Sequence, residues 1–127
     1  MNKLWLIAAV GAAGAAGTLA RLTLGNWVQR SSGSAFPWGV LTVNVLGCFA
    51  FGVAVAVFEN RLMDSEWLRM IVLVGFMGAF TTFSTLAFHT GDFLRTGQWP
   101  LALANVAAHN LVGVVCILLG LFAGKMV

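Results

Sequence analysis

A chain of 127 residues that is 60% hydrophobic and 9% charged is long enough for one domain, but it cannot cover that domain with a water-facing surface, because soluble domains carry about 25% charged residues. A mean hydropathy of +0.93 therefore marks an integral membrane protein. The 7 Lys and Arg leave a net charge of +3; they stand singly, without a basic run or interleaved aromatics, which argues against a nucleic-acid partner.

The first apolar segment covers about 4–28. Lys3, the apolar run and the small residues of 1–20 loosely fit a cleaved leader. Cleavage, however, would leave an odd three spans and discard a stripe of Gly14, Gly17, Arg21 and Gly25, so the segment is read as a span. Arg21 precedes Trp27 by less than two helical turns. Its side chain either snorkels to the interface or lines a vestibule that concentrates anions.

A loop at 29–37 follows, marked by Ser31-Ser32-Gly33-Ser34 and Pro37. The second segment, 38–58, carries Thr42, Asn44, Gly47 and Cys48. A polar connection at 59–66 leads to the third and longest segment, 67–93. Its centre reads Gly75-Phe-Met-Gly-Ala-Phe-Thr-Thr-Phe-Ser-Thr85. Two glycines thus precede four hydroxyls, Thr81, Thr82, Ser84 and Thr85, with Phe76, Phe80 and Phe83 among them. Glycine weakens a helix and hydroxyls take over freed backbone bonds, so a broken or kinked helix is expected near 78–82. Such a run is tolerated at membrane depth only where it is buried in protein or lines a wet path.

After a short connection at 94–98, the fourth segment, 99–124, carries a stripe of Ala102, Asn105, His109, Gly113, Cys116, Gly120 and Gly124. Small residues on one face let helices approach closely in lipid. The stripe serves either packing within one bundle or an oligomer interface, and its length favours the second. A bundle of four helices this small has little interior, so a conduit is easier to build between two copies.

Each segment supplies the ~20 residues needed to cross the hydrocarbon core, which makes the fold all-α with four transmembrane helices. Trp5, Trp27, Trp38, Trp67 and Trp99 all fall at segment ends, as an aromatic belt requires. Four spans put both termini on one side. That side carries Lys3, Arg61, Arg69 and Lys125, against Arg30 and Arg95 on the other, joined by Arg21 if it reaches that way. So weak a bias leaves open both a single orientation with termini inside and insertion both ways round.

No carboxylate lies deep in any span: Glu59, Asp64, Glu66 and Asp92 sit at segment ends or in loops. Proton-coupled pumps and cation carriers rely on a buried Asp or Glu. What remains are donors, namely Arg21, Thr42, Asn44, Asn105, Asn110 and the hydroxyl cluster, and these suit a small anion. Phenyl rings, positive at their edges, fit the same purpose or simply pack. His89 and His109 lack partners at ligand spacing and read as hydrogen-bonded side chains. Cys48 and Cys116 read as small buried hydrophobes. No nucleophile–base pair, paired carboxylates or phosphate loop can be assembled, so the chain is not read as an enzyme.

Gly17-Thr-Leu-Ala-Arg21, Pro37-Trp-Gly-Val-Leu-Thr-Val-Asn44 with Gly47, and the 75–85 run resemble, in order and spacing, the three signature motifs of the Fluc (CrcB-like) fluoride channels. The resemblance covers the whole chain. It implies passive export of fluoride across the cell (inner) membrane, lowering cytoplasmic toxicity, by an antiparallel dual-topology dimer with two narrow pores along the subunit interface. It also implies a structural, untransported Na+ at the dimer centre, held by backbone carbonyls of Gly78 and Thr81 from both copies. Asn44 would line the pore with Thr82, Ser84, Thr85 and Asn110. Phe83 would turn a ring edge to fluoride, and Arg21 would sit near a vestibule.

Two positions depart from the family pattern. Leu86 stands where a second pore phenylalanine is common, and Val114 where relatives often carry a hydroxyl, with Asn110 one turn earlier. These departures imply altered conduction or a heterodimer in which this chain is a partner subunit. A small dual-topology multidrug exporter shares the size and the weak charge bias, but it needs a membrane-buried carboxylate.

Overall fold

The computed structural model describes residues 2–60 and 65–127. Arg61 and Asp64, assigned above to the second connection, lie outside the described residues. Helix α1 is Lys3–Ser32 and α2 is Trp38–Asn60. Asn2 caps α1 by accepting from the Leu4 N–H at 3.2 Å. Gly33 ends it in the left-handed conformation, with φ 57°, which glycine adopts without strain.

The third span begins as α3, Glu66–Arg69, widens into a π-helical stretch over Met70–Met77, and closes with one turn, α4, Gly78–Phe80. Thr81 and Thr82 are extended, with ψ 158° and 114°. Helix α5, Phe83–Arg95, then resumes. Helix α6, Trp99–Lys125, starts with a proline in its first turn, where a missing N–H costs nothing. Four apolar spans, Lys3–Ser32, Trp38–Asn60, Glu66–Arg95 and Trp99–Lys125, are each long enough to cross a bilayer. The chain is an all-helical, multi-pass membrane protein, as its composition requires.

Lipid does not draw apolar helices together, so close backbone approach decides which helices pair. Helices α2 and α6 form the principal contact. Gly52 lies directly on the Ile117 carbonyl, and Gly120 on the Phe49 carbonyl, with no room for a Cβ at either point. Gly17 of α1 presses likewise on the Phe76 carbonyl of the π-helical stretch. The third span changes partner along its length: its first half packs on α1 and α5 packs on α6.

The fourth-segment stripe, expected to favour an oligomer interface, instead faces inward. Ala102, Asn105, His109, Gly113, Gly120 and Gly124 are buried within the chain. Small residues mark a close approach, and here α2 supplies the other surface. The tryptophans hold the ends: Trp5 meets Trp67 edge to face at 5.8 Å, which sets the starts of α1 and α3 at one level.

Asn105 fastens α5 to α6. Fully buried, it donates from Nδ2 to Thr90 Oγ1 at 3.0 Å and to the Leu86 carbonyl at 3.4 Å. Interhelical bonds of this kind in membrane proteins are worth about 1 kcal/mol. Asn105→Ala is expected to lower stability by about that amount, read as a lower midpoint of unfolding in detergent; an unchanged midpoint would show that α5 is held by packing alone.

Candidate functional site

The extended pair Thr81–Thr82 interrupts the helical ladder inside the membrane, where unpaired polar groups cost several kcal/mol each; the Thr81 N–H still reaches the Met77 carbonyl at 3.1 Å, and the Thr82 N–H does not continue the ladder. Asn44, on α2, meets that cost for Thr82. Its Oδ1 accepts from the Thr82 N–H at 2.7 Å, and its Nδ2 donates to the Thr82 carbonyl at 3.0 Å. One amide thus replaces both ladder bonds of one residue. Gly47, one turn further along α2, lets the two segments close: a Cβ there would collide with the Thr81 methyl and the Phe80 ring.

The hydroxyls form a local cluster around Thr82. Its Oγ1 lies 3.2 Å from Ser84 Oγ and 3.0 Å from Thr85 Oγ1, and caps α5 by accepting from the Thr85 N–H at 3.3 Å. Thr81 Oγ1 donates back to the Met77 carbonyl at 3.0 Å.

These side-chain bonds have a consequence for two carbonyls. In an α-helix the N–H of residue i bonds the carbonyl of residue i−4. The Thr82 N–H has gone to Asn44 and the Thr85 N–H to Thr82 Oγ1. The carbonyls of Gly78 and Thr81 are therefore deprived of their regular helical donors. Gly78 is exposed, and a Cβ on it would meet nothing nearer than the Leu73 carbonyl at 3.8 Å.

Thr82 also lies on two cavities. One, of about 430 Å³, is lined by Arg21, Asn26, Gln29, Thr85 and His89 among others. The second, of about 400 Å³, is lined by Asn44, Phe83, Leu86, His109 and Asn110 among others. Neither has a carboxylate in its described lining, and Arg21 is the one residue of permanent charge in either. Gln29 is occupied: it donates to the Ser34 and Phe36 carbonyls and accepts from the Gly39 N–H.

Asn44, Thr82 and Thr85 come together at the extended pair. Phe83 stands 79% exposed on the outside of the chain, whereas Leu86 is buried at 8%. Ser84 is exposed within the hydroxyl cluster. Asn110 is exposed, and its Nδ2 donates to the Val106 carbonyl at 2.8 Å. Val114 is exposed and outside both cavity linings. His89 and His109 are among the lining residues that the sequence motifs do not assign to a site. For His109 the sequence did hold a signal, since it lies one helical turn after Asn105 on the same stripe.

Fold and site together define a polytopic α-helical membrane protein with an uncharged, donor-rich site in the middle of a span. The family described as CrcB-like protein, Camphor Resistance (CrcB) matches over residues 8–121, and the chain belongs to that family. It is 47% identical over 121 residues to a protein of Nitrosococcus oceani, covering 95% of this chain and 97% of that one. It is 46% identical over 127 residues to a protein of Nitratidesulfovibrio vulgaris, covering all of both. A protein of Magnetococcus marinus is 46% identical over 121 residues, 95% of this chain and 98% of its own. Each of these relatives is named fluoride-specific ion channel FluC.

Proposed function

We propose that the chain is a fluoride-selective channel through which fluoride leaves the cell passively across the inner membrane, relieving its toxicity. The family and the names of its relatives support this reading, and the chain is not an enzyme. The observation that carries it is the Asn44–Thr82 clasp, which holds amide and hydroxyl donors at mid-span beside cavities with no carboxylate among the described residues that line them. That absence also disfavours a multidrug-type exporter.

Fluoride is small and strongly hydrated, and a path for it must replace water with donors that bind without trapping. Asn44 spends one Nδ2 hydrogen on Thr82 and keeps a second for the cavity. Thr82, Ser84 and Thr85 add hydroxyls, and the exposed Phe83 adds a positive ring edge. Arg21 draws anions into the first cavity, which serves as the vestibule.

The working unit is an antiparallel, dual-topology homodimer. Gly78, Phe83 and Asn110 are exposed on a membrane-spanning surface, where a second copy would complete the conduit. The Gly78 and Thr81 carbonyls of both copies would hold a structural Na+. Oxygen donors suit such a hard cation, which would offset the dipoles of these carbonyls. The two carbonyls fit this use because their helical donors are diverted, and the open face of Gly78 leaves room for the partner.

The test is purified chain alone in liposomes with sodium present. Fluoride is expected to escape while chloride is retained; equal chloride leak, or no fluoride release, overturns the reading. Phe83→Ile is expected to slow fluoride release roughly tenfold, equivalent to about 1.4 kcal/mol on the barrier. Undiminished release would remove Phe83 from the path. Exchange of sodium for a large organic cation is expected to lower activity or dimer stability.

A further inference from the structure

The outward face of α1 changes character along its length. Ala12, Ala15, Leu19, Leu22, Asn26 and Arg30 follow one another at spacings of three and four, and all are exposed. The face is apolar as far as Leu22, turns polar at Asn26 and ends on a cation. Trp27, 68% exposed, flanks the change and marks interface depth. From Leu19 to Arg30 the helix rises about 16 Å at ~1.5 Å per residue. That is about half of the ~30 Å hydrocarbon core, the depth of one leaflet.

A cavity of about 520 Å³ opens on this face, lined by Leu22, Thr23, Asn26, Trp27, Arg30 and Ser31. Its two hydroxyls are committed as donors. Thr23 Oγ1 donates to the Leu19 carbonyl at 2.9 Å and Ser31 Oγ to the Trp27 carbonyl at 2.8 Å. The Asn26 amide and the Arg30 guanidinium have no partner among the described residues. They stand one helical turn apart, so their donors can converge on one group. Arg30 is also the charge left over at its end of the bundle, because Arg95 there is paired with Asp92 at 2.7 Å. Its place in the last turn of α1 suits the helix dipole, but leaves the N–H donors of its fork unspent.

These features select an occupant. A hydrated anion gains nothing from exposed Leu19 and Leu22, whereas an acyl chain does. A guanidinium fork matches a phosphate in geometry as well as charge. No carboxylate lines the cavity to receive the ammonium of a zwitterionic headgroup, which would compete with Arg30 for its own phosphate.

We propose that this face of α1 is a docking site for an anionic phospholipid, with its phosphate held by Arg30 and Asn26 beside Trp27 and its acyl chains along Leu22 and Leu19. The site is independent of what the chain conducts, and its test involves no flux.

The test is thermal unfolding of the purified chain in uncharged detergent with lipid added. Phosphatidylglycerol is expected to raise the midpoint about 3 °C or more above phosphatidylcholine of the same acyl chains, as a ligand of the folded state does. Arg30→Gln is expected to remove the difference and to leave the midpoint in phosphatidylcholine unchanged. Arg95→Gln, which removes a cation already paired, is expected to keep it. Equal midpoints in the two lipids overturn the proposal, and are the result if a second copy covers the face. A difference that survives in R30Q overturns it too, and one lost equally in R95Q reduces it to unspecific charge attraction. Glycerol phosphate is expected to have no effect; the same gain from it would make this a site for free phosphate and overturn the lipid assignment. Mass spectrometry of the intact protein supplies a measurement independent of unfolding. The native chain is expected to retain phosphatidylglycerol over phosphatidylcholine roughly fivefold, the preference that one basic residue gives near anionic lipid. Equal retention, or a preference intact in R30Q, overturns the site.

Discussion

Asn44→Leu is expected to abolish fluoride release, with a fall of roughly a hundredfold or more, equivalent to about 3 kcal/mol on the barrier. Leucine keeps the branching of asparagine at Cγ, with a larger volume, and removes both of its bonds. The Thr82 N–H and carbonyl then lose their partners, and an unpaired buried polar group costs about 1–3 kcal/mol. The segment has a cheaper alternative. If Thr82 returns to helical geometry, its N–H recovers the Gly78 carbonyl and the interruption closes into a continuous helix. That single change withdraws the amide, disperses the hydroxyl cluster and returns regular helical donors to the Gly78 and Thr81 carbonyls together. Asn44→Asp separates the contributions. Aspartate still accepts from the Thr82 N–H, but it sets a second acceptor against the Thr82 carbonyl and a negative charge beside the anion path. It is expected to block release while holding the segment partly open. Release from Asn44→Leu within a factor of two of the native chain would show that the clasp does not shape the path.

The spans were legible because lipid imposes a simple rule. A backbone that must satisfy itself forms helices of bilayer length, and tryptophan marks their ends. The pairing of those helices was not. The α6 stripe announces close approach, but Gly52, the glycine that receives it, sits in a segment read for Asn44 and Gly47 instead. A stripe carries no address for its partner, so its length alone favours an oligomer over the intramolecular contact that it makes. The extended pair shows the same limit. Glycine and hydroxyl content marks residues 78–82 as weakly helical, but the geometry of Thr81–Thr82 depends on Asn44, far away in sequence. Nothing in Met70–Met77 signals a π-helical stretch; its apolar residues fit either winding. His109 reads as a hydrogen-bonded histidine, and its Nδ1 meets the Asn105 carbonyl oxygen at 2.8 Å.

The contact between α2 and α6 predicts the second large effect. Gly120→Val is expected to prevent the bundle from assembling, because the Phe49 carbonyl already occupies the place of the new Cβ. Carbonyl and backbone cannot turn aside as a flexible side chain can. The helices must separate, and separation also loosens Gly52 against the Ile117 carbonyl, the reciprocal contact in the same crossing. Without a hydrophobic force between helices in lipid, lost packing has no substitute. Gly120→Ala is expected to cost about 1–3 kcal/mol, the usual penalty of overpacking, and Gly120→Val to leave aggregated or unassembled protein on size exclusion in detergent. Gly11 supplies the control, since a Cβ there meets nothing within 4 Å. On an open face Gly→Ala gains helix propensity, worth up to about 1 kcal/mol, so Gly11→Ala is expected to match or exceed the native unfolding midpoint. If Gly120→Ala proves as harmless as Gly11→Ala, the two helices do not cross where their glycines meet. The seat of Asn105 and His109, on the same face of α6, would then need to be drawn again.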